Sequence, residues 1–137
     1  MNIRKFKRED IENGLLEVYQ EVWKIDAITE EVLNRYLSTE NYMVVAEDEG
    51  KIVGTATLHL QRKLIRNGGT AAFIEDVAVK ESHRGKGVGK LLIEHLVHIA
   101  KNLECYKINL SCFPERVAFY ERCGFKKESI TMRYYIS

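Results

Sequence analysis

The segment from Phe73 to Lys90 constrains this chain more than any other: an apolar run, Phe73-Ile-Glu-Asp-Val-Ala-Val79, leads into His83-Arg-Gly-Lys-Gly-Val-Gly-Lys90 and then into a long amphipathic stretch. Gly85, Gly87 and Gly89 stand at alternate positions, where the backbone can take positive φ and approach a ligand closely. A helix opening here presents unpaired N–H groups and the positive end of its dipole. Arg84 and Lys86 add charge. A strand, a cationic glycine turn and a helix start make an anion cradle suited to a phosphate or diphosphate. Two common phosphate folds are excluded by spacing. The P-loop needs G-x-x-x-x-G-K-[ST], but Leu91 follows Gly89-Lys90 and no glycine lies five positions before Gly89. The dinucleotide fingerprint G-x-G-x-x-G fails because the sixth position from Gly85 is Lys90 and from Gly87 is Leu92.

The chain has 137 residues, 45% of them apolar, which is enough for one core and too short for two ordinary domains, so residues 1–137 are expected to form a single domain. With 21 basic and 20 acidic residues, the net charge of +1 gives no global field favouring nucleic acid or an anionic membrane. No apolar run approaches bilayer-spanning length, and Met1-Asn-Ile-Arg-Lys5 lacks the apolar core of a signal peptide, so a cytoplasmic protein is expected. Cys105, Cys112 and Cys123 are odd in number and form no C-x-x-C pair, which suits reduced thiols. His59, His83, His95 and His98 show no metal spacing, and no metal is expected.

Strand and helix signals alternate along the chain. Asn2–Lys7 reads as a strand. Arg8–Trp23 reads as one helix with Ile11, Leu15, Val18, Tyr19 and Val22 on a face. Thr29 caps a second helix that begins with acids. Residues 42–47 and 52–64 flank Glu49-Gly50 as a hairpin. Thr70–Val79 is a strand, and Val88, Leu91, Leu92, His95, Leu96, Ile99 and Leu103 make a helical stripe. Residues 106–112 alternate as a strand, Pro114 opens a last helix that stops at Gly124, and residues 125–136 are expected to complete the sheet. The order is β-α-α-β-β-β-α-β-α-β, an α/β (α+β) fold with a mixed sheet flanked by helices.

Arg84-Gly-Lys-Gly-Val-Gly89 fits R-x-x-G-x-G, and with Ile74-Glu-Asp-Val-Ala-Val79 and Val117-Ala-Phe-Tyr-Glu-Arg-Cys-Gly-Phe125 it resembles the GNAT acyl-CoA N-acyltransferases. From Gly54 to Phe125, including Gly-Thr-Ala-Thr-Leu58 and Cys-Tyr-Lys-Ile108, the chain is similar to the glucosamine 6-phosphate branch of that superfamily; the first fifty residues, which form the acceptor side there, are not clearly so. The resemblance implies that acetyl-CoA is the cosubstrate, its diphosphate held by Arg84, Gly85, Lys86, Gly87, Val88, Gly89 and Lys90, and its pantetheine arm on the backbone of Val77, Ala78 and Val79 between two splayed strands. It also implies a homodimer, and the apolar, β-prone Thr131-Met-Arg-Tyr-Tyr-Ile136 fits a strand that pairs with a second subunit.

Acetyl transfer to an amine needs an unprotonated nitrogen, a polarised carbonyl and an acid for the departing thiolate. Glu75 and Asp76, inside an apolar strand, are the candidates for acceptor contact or base. Strand alternation puts them on opposite faces. Tyr120, at the Phe-Tyr position of the resemblance, is the candidate acid. Ser111 stands where the glucosamine-phosphate enzymes carry an acid, and Arg116 where the superfamily often has asparagine; a guanidinium there suits a phosphate of the coenzyme or of the acceptor. Cys112 as an acetylated nucleophile is disfavoured, having no neighbouring histidine in sequence. The acceptor stays open at this point between a small amine such as an amino-sugar phosphate and a polyamine, amino acid or protein amine. An acidic lining from Glu9, Asp10, Glu12 and Glu17 would favour polyamines. A coenzyme-binding regulatory module without turnover is the remaining alternative.

Overall fold

A computed structural model describes residues 1–137. Five strands form one sheet in chain order: β1 (Asn2–Lys5), β2 (Asn41–Asp48), β3 (Lys51–Arg62), β4 (Thr70–Val79) and β5 (Lys107–Leu110). The first four pair antiparallel, and β4 with β5 is parallel. Between β2 and β3 a two-residue turn suffices: Glu49 and Gly50 take φ of 50° and 79°, as a tight hairpin that follows strand twist requires. The parallel pair needs a crossover, which is helix α4 (Val88–Asn102).

Of the stripe read from the sequence, Val88, Leu92 and Leu96 are buried, joined by Ile93 and Ala100, and they pack on one face of the sheet against Val44, Ala46, Val53, Ala56, Leu58, Ala72 and Ile74, while Leu91 and Leu103 stay exposed. Each large side chain buried this way contributes about 1.5 to 3 kcal/mol. Gly54 allows the close approach, because a Cβ there would lie 3.2 Å from both Leu92 Cδ1 and Val88 Cγ1. The other face is covered by α1 (Leu16–Val22) and α2 (Glu30–Leu37), with Leu15 and Val18 packed on Met43, Val45, Ile52 and Ala78. Thr29 caps α2 as expected, its hydroxyl accepting from Val32 N–H at 3.2 Å. After β3, a single turn α3 (Ile65–Gly68) leads to β4, and α5 (Val117–Arg122) follows the one-turn helix Pro114–Arg116.

Two expectations fail. The first helix is not continuous over 8–23: Arg8–Asp10 is a single tight turn, Ile11–Leu15 a wide one, and α1 starts only at Leu16. The break is Gly14, with φ of 119°, lying so close to β3 that a Cβ would sit 2.7 Å from the Ile52 carbonyl oxygen. Nor do residues 125–136 complete the sheet. No strand follows α5, and Ile130, Met132, Tyr134, Tyr135 and Ile136 are each at least 77% exposed. One side-chain hydrogen bond, Ser111 Oγ with Thr131 Oγ1 at 2.7 Å, ties this arm to the body. The β propensity is present, but β5 offers only four residues of edge and the arm does not pair with it.

Candidate active site

Strands β4 and β5 pair from Ala71–Lys107 to Ile74–Leu110 and no further. Beyond Ile74, β4 continues to Val79 against β3 alone, so the backbone of 75–79 faces an opening on its β5 side. This is the splay the resemblance implies. Val77 and Val79 pack toward α4, and Ala78 packs into the opposite cluster.

A bulge interrupts β4 at the start of that opening. Between the pairs Thr57–Glu75 and Thr55–Ala78, β4 carries one residue more than β3, and Asp76 takes φ of 54°. Asp is among the few non-glycine residues that tolerate this region, at about 1 kcal/mol or more. The extra residue breaks strict alternation, so Glu75 and Asp76 do not divide between the two faces. Both lie near enough to Tyr36 for their charges to act on its hydroxyl, whose pKa is pushed up to about 12, chiefly by burial. The Glu75 carboxylate is 4.0 Å from His59 Nε2.

At the C-terminal end of β4, Lys80–His83 is held from two sides. Glu17 pairs with Lys80 Nζ at 3.2 Å and Glu21 accepts from Glu81 N–H at 2.8 Å, while His83 Nε2 lies 2.9 Å from Asp48 Oδ2. Arg84 Nε then donates to the Val79 carbonyl at 2.9 Å. Gly85 and Gly87 follow with φ of 74° and 83°, and Gly87 caps α4 without any side-chain cap. The first helical bond is Leu91 N–H to Gly87 O. None of the main-chain N–H groups from Gly85 to Lys90 has a partner within the chain. Six successive donors at a helix start, beside the exposed side chains of Arg84, Lys86 and Lys90, can take a diphosphate.

Gly89 lets α5 close on this turn, since a Cβ would lie 3.2 Å from Phe119 Cζ. Tyr120 is thereby fixed edge-on between Phe119 and Phe125, with ring centroids at 4.9 and 6.0 Å. Its hydroxyl has no hydrogen-bond partner, and burial raises its pKa, against the pull of Arg116. A protonated phenol here can meet a leaving thiolate. Ser111, Cys112 and Tyr120 line one cleft of about 1050 Å³ between β5, α5 and the C-terminal arm. Arg116 stands exposed ahead of α5 with no acidic partner. No histidine pairs with Cys112.

The acidic lining that would favour a polyamine is not formed. Asp10 is buried under Arg4, with oxygens 2.7 and 2.9 Å from the guanidinium and accepting Lys7 N–H at 2.8 Å. Burial would raise its pKa, but the Arg4 fork and the Lys7 amide outweigh it and hold the carboxyl below the usual range. Glu17 is paired with Lys80, and Glu9 and Glu12 are exposed. Instead, a cavity of about 350 Å³ opens between α1, α2 and the sheet, lined by Leu15, Tyr19, Trp23, Leu33 and Tyr36 among other apolar residues, with Asp76 its only charged one. Periodicity hinted at it: Tyr19 with Trp23 and Leu33 with Tyr36 fall on single helical faces.

Residues 8–125 match the model of the acetyltransferase (GNAT) family. Glucosamine 6-phosphate N-acetyltransferase of Arabidopsis thaliana is 35% identical over 97% of this chain and 95% of its own length. The enzyme of that name from Schizosaccharomyces pombe is 41% identical over 70% of this chain and 88% of its own. The crystal structure of the Arabidopsis enzyme superposes with a TM-score of 0.91 at 34% identity, covering 99% of this chain and 98% of that one.

Proposed function

The chain belongs to the GNAT family of acetyltransferases, and we propose that it transfers acetyl from acetyl-CoA to the primary amine of an amino-sugar phosphate such as glucosamine 6-phosphate. The observation that carries the coenzyme side is the run of unpartnered N–H groups from Gly85 to Lys90 at the mouth of the β4–β5 splay. The acceptor is supported by the similarity to glucosamine 6-phosphate N-acetyltransferases.

In this reading Arg84, Lys86, Lys90 and the amides of 85–90 hold the diphosphate, Arg116 meets a further phosphate, and the backbone of Val77 to Val79 takes the pantetheine arm. Glu75 and Asp76 hold the acceptor ammonium and take up its proton, directly or through water, since only the free amine has a lone pair. The nitrogen attacks the thioester carbon while a main-chain N–H near Val77 polarises the carbonyl oxygen. The C–S bond breaks, and Tyr120 protonates the thiolate. Ser111 cannot supply a charge, so the amine depends on Glu75 and Asp76.

The whole chain works as one catalytic unit, as a homodimer, in the cytoplasm. Three free thiols suit a reducing compartment. The exposed apolar arm and the unpaired edge of β5 support exchange of the arm with a second copy. Free thiol released from acetyl-CoA on adding glucosamine 6-phosphate tests the reaction: saturable release, lowered by Glu75→Gln, Asp76→Asn and Tyr120→Phe, is expected. No release from a protein that binds CoA would refute the acceptor.

A further inference from the structure

The cavity beneath α1 and α2 has a chemistry that an amino-sugar phosphate does not use. Its polar atoms are nearly all occupied. Tyr36 hydroxyl donates to Thr57 Oγ1 at 3.0 Å, and Tyr19 hydroxyl is turned toward Met43 Sδ at 3.8 Å. What remains facing the space is aliphatic and aromatic surface, including Tyr19 and Trp23 packed edge-to-face at 5.6 Å. No lysine, arginine or histidine lines it, so nothing there can hold a phosphate, and no free hydroxyl or amide can read a sugar ring. The one charge is Asp76. Its carboxylate makes no hydrogen bond or ion pair within the chain, it lines the cavity from the bulge, and its charge acts on the Tyr19 and Tyr36 hydroxyls there.

We infer that this cavity is an acceptor subsite for primary arylalkylamines, the ammonium resting on Asp76 and the aromatic tail lying among Leu15, Tyr19, Trp23, Leu33 and Tyr36. The inference rests on the acetyl-transfer reading but not on the sugar-phosphate acceptor. Three features select this ligand class. A single carboxylate with no partner in the chain complements one ammonium, aromatic rings attract a cation and stack on a second ring, and about 350 Å³ lies in the range of small-ligand sites. The chemistry balances as for any amine: the ammonium loses a proton to Asp76 or Glu75, the nitrogen bonds to the acetyl carbon, the C–S bond breaks, and the thiolate is protonated.

Trp23 is the only tryptophan in the chain and it lines the cavity, so its emission reports occupancy without any need for turnover. The full-length protein, excited selectively at the indole, is titrated with 2-phenylethylamine, ethylamine and 2-phenylethanol. Saturable change is expected with 2-phenylethylamine, with half-saturation about tenfold or more below that of either ethylamine, which lacks the tail, or 2-phenylethanol, which lacks the charge. Ile28→Phe, which narrows the cavity, should weaken the titration, with CoA calorimetry reporting that the variant is folded. No saturable change, or equal half-saturation for ethylamine and 2-phenylethylamine, overturns the subsite. Binding of 2-phenylethylamine without thiol release from acetyl-CoA overturns its role as acceptor. Glucosamine 6-phosphate, assayed separately for thiol release, reports on the sugar-phosphate reading alone.

Discussion

Replacing Gly87 by alanine separates the cost of folding the glycine turn from its use. Gly87 holds φ of 83°, and a Cβ built there meets no atom within 4 Å, so the methyl clashes with nothing in the ligand-free protein. The folded state bears only the left-handed penalty, about 1 to 2 kcal/mol, which for a chain of this size lowers Tm by about 3 to 8 °C. Binding loses more. The methyl enters open space beside six unpartnered N–H groups, and an amide bond to a charged oxygen contributes about 1.5 to 3 kcal/mol. Displacing two such bonds costs about 3 kcal/mol at the low end, or roughly 100-fold in Kd. The assay pairs thermal melts with calorimetric titration by CoA. Gly14→Ala is the contrast, because its Cβ would strike the Ile52 carbonyl at 2.7 Å; it should destabilise far more and leave CoA affinity of the folded fraction unchanged. A Gly87→Ala protein binding CoA within threefold of the parent would refute the reasoning.

Three further outcomes follow from the same geometry. Tyr120→Phe removes a hydroxyl that bonds to nothing, so stability should stay within about 0.5 kcal/mol while kcat falls about 100-fold, read by melts and thiol release. Asp10→Asn should cost about 3 kcal/mol in urea unfolding by leaving Arg4 short of its buried partner. Because folding lowers the Asp10 pKa, its contribution is present above the ordinary value of 3.8 and is lost as pH falls through the depressed one; the parent's stability should therefore drop on acidification below about pH 4 more than the variant's. Deleting residues 129–137 should convert a dimer to monomer in sedimentation velocity, and an unchanged sedimentation coefficient would remove the arm from the interface.

The parts of this fold legible in the sequence are those whose cause is local. The start of β4 at Thr70 and of α4 at Val88 are legible because Gly68-Gly69 precedes the one and Gly85 to Gly87 the other, and Thr29 and Glu49-Gly50 carry their own capping and turn chemistry. The illegible parts are set by partners distant in the chain. Gly14 looks like a tolerated helix glycine until Ile52 is packed against it. The bulge at Asp76 exists only in the register between β3 and β4, so alternation read from β4 alone misassigned the two acids. Asp10 reads as part of a possible acidic acceptor lining until Arg4 covers it. The arm after Gly124 has the composition of a strand, but within one chain no edge receives it.

The central claim is that the amides of Gly85 to Lys90 grip the diphosphate of coenzyme A. Calorimetric titration with CoA and, separately, with pantetheine, which shares the arm but lacks the diphosphate, tests it most directly. Saturable heat with CoA, and affinity at least about 100-fold weaker with pantetheine, is the predicted result. Equal affinity for the two, or no saturation with CoA at millimolar concentration, would contradict it.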